Sequence, residues 1–146
     1  MPAKAKVVPP SPRWYRGADV PMRVIRQFAR AVAKLFEPEQ IILFGSYAYG
    51  TPHDDSDVDI LVVMSCRNQH DQAVKIRLEI PRNFAMDVLV RTPKNLFGRL
   101  EEGESFHSDI VNRGVVLYEK KRTRVDPLRR SRPKGSSASR KQSERA

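Results

Sequence analysis

Three acids in two separate stretches are the side chains best suited to chemistry. Asp57 and Asp59 stand two apart at the mouth of an apolar run over residues 58–64, and Asp87 lies inside another, over 84–90. Residues two apart share one face of a strand. Two carboxylates held that way repel each other unless a cation lies between them, and hard oxygen donors near phosphate favour Mg²⁺ or Mn²⁺. A lone ionised acid in an apolar strand is costly to bury, so Asp87 is expected to need a partner. If its strand runs beside the first, it joins Asp57 and Asp59 as a third metal ligand and can help to deprotonate an incoming hydroxyl.

A second element lies just upstream, where the apolar run 41–44 stops at Gly45 and Ser46. Glycine allows a sharp turn, the serine adds a hydroxyl, and a helix opening there would aim free N–H groups at an anion. A Gly-Ser turn alone reads as an ordinary turn, and an isolated D-x-D as a strand cap or loop decoration. Together with Asp87 they read as a site for a metal-bound triphosphate.

The elements that must position these residues follow from the hydrophobic pattern. Val20, Val24, Ile25, Phe28, Val32, Leu35 and Phe36 keep a helical period after Asp19, a candidate N-cap, and the helix should end before Pro38. Strands are expected over 41–44, 58–64, 84–90 and 115–118, with helices over 71–80 and 105–112 and Gly114 closing the latter. The stretch 71–80 alternates like a strand, yet its Gln, Lys, Arg and Glu favour helix. The fold class is α/β or α+β, with a small mixed sheet flanked by helices.

At 146 residues the chain has room for one domain, expected over 17–118. The formal charge of +10 is unevenly spread: residues 1–16 carry +4, residues 17–118 carry −2 and residues 119–146 carry +8. The first sixteen residues read as a flexible, basic, Pro-rich arm and the last twenty-eight as a disordered basic tail, since neither has the apolar content to offset chain entropy. Such a tail could attract nucleic acid in a salt-sensitive manner without RNA being the substrate. No unbroken apolar run suggests a membrane span and no leader is apparent, so a cytoplasmic location is expected. Cys66, the single cysteine, is expected to be a buried apolar residue. Asp54, Asp55 and His53 read as solvated loop residues, and His70 and His107 as surface or helix-face residues. Tyr47 and Tyr49 are expected to pack on the domain rather than stack on a base.

Gly45-Ser46-Tyr47-Ala48-Tyr49-Gly50 followed by Ser56-Asp57-Val58-Asp59 and the distant Asp87 resembles the minimal members of the polymerase-beta-type nucleotidyltransferase superfamily, over roughly residues 20–118. The resemblance implies that Gly45 and Ser46 contact the β and γ phosphates of ATP, that Asp57, Asp59 and Asp87 hold two Mg²⁺ ions, and that Asp87 helps activate the acceptor. It further implies AMP transfer to a hydroxyl, such as a tyrosine of a HEPN-type ribonuclease toxin, which would make the chain an antitoxin. Tyr49 stands where many such proteins carry arginine, and Arg91 is a candidate substitute cation. That departure keeps open an alternative, a non-catalytic antitoxin that binds nucleotide and silences its partner by forming a complex.

Overall fold

The computed structural model describes residues 14–121. Most of the basic arm and of the basic tail therefore lies outside the described residues. A short 3-10 turn, Gly17–Asp19, leads into α1 (Met22–Phe36). Asp19 is thus not the helix cap: Pro21 takes that position, its carbonyl accepting the amides of Val24 and Ile25 at 3.0 and 3.2 Å. Proline suits a helix entrance because its fixed φ and missing N–H cost nothing there. At the other end Glu37 turns left-handed (φ 49°), as the steric demand of Pro38 on the preceding residue disfavours continued helix.

Four strands form one sheet in the order β3-β2-β1-β4: β1 (Gln40–Phe44), β2 (Val58–Val63), β3 (Met86–Arg91) and β4 (Val115–Glu119). β1 pairs antiparallel with both β2 and β4, whereas β2 and β3 run parallel. A parallel neighbour requires a crossover, here α3 (Gln69–Glu79), capped by the Asn68 side chain accepting from the Asp71 amide at 2.9 Å. That settles the ambiguous stretch as helix. It also packs on β3 through the apolar face carrying Ala73 and Ile76.

The sheet is covered on both faces. One face, with Ile41, Leu43, Val58, Ile60, Val62, Met86 and Val90, meets Val24, Ile25, Phe28, Ala29 and Val32 of α1 and the two buried positions of α3. Burying each large aliphatic or aromatic side chain contributes about 1.5 to 3 kcal/mol, so this face anchors the domain. Phe28 and Phe84 meet edge-on there at 6.0 Å. Cys66 is only partly buried at its margin, short of the full burial expected. The opposite face, with Ile42, Leu61 and Val63, is covered by Leu96 of α4 (Pro93–Glu101) and Ile110 of α5 (Ser105–Arg113).

Sequence patterning misses α4, although Thr92-Pro93 carries a start signal: the Thr92 hydroxyl accepts from the Asn95 amide at 3.1 Å and proline occupies the first helical position. Gly114 does end α5, by close packing rather than by a left-handed turn. A Cβ there would stand 2.5 Å from the Ile110 carbonyl, 2.6 Å from Ile42 Cγ2 and 2.9 Å from the Leu43 carbonyl. The last turn of α5 is thereby pressed against the end of β1. No helix among the described residues is long and apolar enough to cross a membrane.

Candidate active site

The site is assembled where β1 ends and β2 and β3 begin. β1 leaves the sheet at Phe44, whose antiparallel partner is Asp59. Gly45 follows with φ 77° and ψ −162°, a conformation closed to other residues at reasonable cost, and then a single turn of helix, α2 (Ser46–Tyr49). A side chain at Gly45 would also collide with Asp59 Oδ2. The glycine thus serves two needs, the turn itself and the seating of a carboxylate directly against its backbone.

Ser46 Oγ donates to Ser56 Oγ at 2.9 Å, and the His53 amide donates to the same oxygen at 2.8 Å. Ser56 is 8% exposed and immediately precedes Asp57, so the hydroxyl pair ties the turn to the loop that delivers the acids. The sequence presents Ser56 only as the first residue of the Ser-Asp-x-Asp motif; its tie to Ser46 is seen only once the loop folds back on the turn.

Asp59 and Asp87 are direct register partners in the parallel β2–β3 pair and therefore share a face. Asp57, just outside β2, lies two positions before Asp59. Asp59 is half-buried, while Asp57 and Asp87 are exposed. The cost of burial expected for Asp87 is corrected accordingly: β3 is an edge strand, and its acid faces solvent. The acid under strain is Asp59, whose carboxyl is pushed up to about 6 by burial, then by the charges of Asp87 and Asp57. Both other predicted acids thus act on Asp59. Among the described residues no three His, Cys, Asp or Glu side chains are arranged to hold a metal ion as they stand. The donor set itself, hard oxygens whose mutual repulsion a divalent cation would relieve, fits Mg²⁺ or Mn²⁺.

A flank that the sequence reading did not identify comes from α5. The Tyr49 hydroxyl donates to Asp109 Oδ2 at 3.0 Å, Arg113 Nη1 lies 3.5 Å from the same oxygen, and the Arg113 guanidinium sits 3.9 Å above the Tyr49 ring. Burial, then the Asp109 hydrogen bond and charge, raise the Tyr49 hydroxyl; Arg113 and a backbone hydrogen bond with Gly45 oppose them. Asp109 and Arg113 are four apart on a helix, which by sequence reads only as a surface ion pair. Tyr47 packs instead, its hydroxyl donating to the Gly17 carbonyl and accepting from the Val20 amide.

Arg91, the cation considered as a substitute at the turn, lies at the far end of β3 from Asp87. Its Nε donates to His107 Nε2 at 3.0 Å and its Nη1 to the Val90 carbonyl at 2.9 Å. His107 is not a surface residue: it is 2% exposed, and its Nδ1 pairs with Glu104. Since arginine can only donate, Nε2 accepts and the proton resides on Nδ1. His53 and His70 are exposed, as are Asp54 and Asp55.

Residues 25–132 match the nucleotidyltransferase domain family. A candidate protein adenylyltransferase of Methanocaldococcus jannaschii is 30% identical over 98 residues, spanning 66% of this chain and 96% of that protein. A crystal structure of a candidate nucleotidyltransferase from Sulfolobus solfataricus aligns with a TM-score of 0.45 at 24% identity, covering 68% of this chain and 80% of the other.

Proposed function

The chain belongs to the nucleotidyltransferase domain family, and from that premise we propose that it is a Mg²⁺-dependent protein adenylyltransferase, moving AMP from ATP onto a hydroxyl acceptor. The observation that carries this reading is the pairing of Asp59 with Asp87 on one face, with Asp59 Oδ2 seated against Gly45. Acceptor choice draws support from the Methanocaldococcus jannaschii relative, which is a candidate protein adenylyltransferase. A tyrosine on a HEPN-type toxin is the acceptor proposed.

Gly45 and Ser46 would receive the β and γ phosphates, and Asp57, Asp59 and Asp87 would hold Mg²⁺. Bound there, the cation neutralises phosphate charge and polarises the reacting phosphoryl group. Asp87, exposed at the sheet edge, is within reach of an incoming acceptor and takes the hydroxyl proton. The acceptor oxygen forms a bond to the α-phosphorus, the bond from that phosphorus to the bridging oxygen breaks, and pyrophosphate leaves. In-line geometry of this kind depends on positioning more than on covalent chemistry by the protein.

The test is transfer of label from α-labelled ATP to a co-expressed partner. Asp57→Ala and Asp59→Ala should each abolish transfer while circular dichroism stays unchanged, and full transfer by both variants would refute the assignment. A second reading, nucleotide binding without transfer, is favoured by Tyr49 standing where many similar proteins carry arginine. It predicts a tight complex in which the partner gains no mass equal to a nucleoside monophosphate.

A further inference from the structure

The proposed ATP site is rich in negative charge. Asp59 lies against Gly45 of the turn, Asp57 and Asp87 act on Asp59, and Asp109 adds a fourth carboxylate beside Tyr49. A polyphosphate entering such a site gains from a cation of the protein's own beside bound metal, because like charges at short range repel. Arg91 cannot serve, being held at the other end of β3 by His107 and the Val90 carbonyl.

Arg113 is placed to do so. The packing of Gly114 against Ile42 and Leu43 locks the last turn of α5 to the end of β1, two residues before Gly45. From there the guanidinium lies over the ring of Tyr49, the last residue of α2, whose amide donates to the Gly45 carbonyl at 3.1 Å. Cation–π stacking holds the group in place without using its N–H donors. Its ion pair with Asp109 is long, at 3.5 Å, and open to solvent, with the two side chains 57% and 46% exposed. Exposed pairs of that kind contribute little net stability, so exchanging the carboxylate for phosphate costs little. Arginine also suits phosphate by its planar fork of donors.

We propose that Arg113, carried on α5 and braced by the Tyr49 ring, binds the terminal phosphates of the nucleoside triphosphate, with Asp109 as the resting partner that it leaves when nucleotide enters. This rests on the reading of the site as a triphosphate site, and it assigns to α5 a binding role beyond covering the sheet.

Binding of a non-transferable ATP analogue to the full chain with Mg²⁺, measured by calorimetry, separates the two readings. Arg113→Ala should weaken the analogue about tenfold or more, as loss of a charged hydrogen bond does, while AMP binding is unaffected. Arg113→Lys should recover part of the loss. Asp109→Asn keeps an acceptor for the Tyr49 hydroxyl but releases Arg113, and should bind the analogue as tightly as the native chain or more tightly. If Arg113 only braces α5, both Arg113→Ala and Asp109→Asn weaken binding, or neither does, and the inference is overturned while the triphosphate site stands. No binding of the analogue by the native chain overturns both. In transfer assays Arg113→Ala should raise KM for ATP far more than it lowers kcat.

Discussion

Asp59 sits with one carboxylate oxygen directly over Gly45, so that the turn and the acid occupy space only a glycine leaves open. The contact joins the end of β1 to the start of β2 and links the two halves of the motif in three dimensions. What the sequence presents as two signals fourteen residues apart is one packed unit.

Substituting each glycine of the turn separates packing from backbone strain. Gly45→Ala meets both a positive φ and the Asp59 carboxylate, and should destabilise the fold by about 2 to 3 kcal/mol and abolish nucleotide binding. Gly50, at φ 80°, has nothing within 4 Å of an added Cβ. Gly50→Ala should cost only about 1 kcal/mol and leave binding intact. Urea unfolding alongside analogue binding checks the pair, and equal losses in both variants would show that the carboxylate contact is irrelevant.

The acid cluster predicts a pH signature in metal-free protein. Asp59 titrates at about 6 in the folded chain against an ordinary value of 3.8. Folding therefore favours its protonated form, so its contribution to stability is greatest below the ordinary value. That contribution falls as pH rises from about 4 to 6 and stays lost above. Asp59→Asn should flatten this fall, and saturating Mg²⁺ should relieve it in the native chain. Denaturation midpoints at several pH values, with and without Mg²⁺, measure both effects; identical pH slopes in native and variant protein would contradict them.

The buried end of the Arg91–His107–Glu104 chain should matter for folding and not for transfer. His107→Ala removes the acceptor for Arg91 Nε and opens a cavity beneath α5, for a loss of about 2 to 4 kcal/mol. Transfer per folded molecule should stay near native, because this network lies at the opposite end of β3 from Asp87. A loss of kcat larger than the loss of folded protein would place the network in the chemistry after all.

The amino-acid sequence by itself determined the element types around the site, since period-two and helical apolar patterns, the Gly-Ser break and the Asp spacing are local properties. It also identified Asp57, Asp59 and Asp87 as groups in need of one another. Tertiary structure alone decided the partners. The parallel pairing of β2 with β3 sets Asp59 beside Asp87, and its position at the sheet edge, invisible in an apolar run, leaves Asp87 exposed and places the strain on Asp59. His107 was misjudged for the same reason, because a histidine's burial depends on what packs over it. Asp109 and Arg113 join the site only because Gly114 lets α5 close on β1, a contact between segments some seventy residues apart that no local pattern encodes.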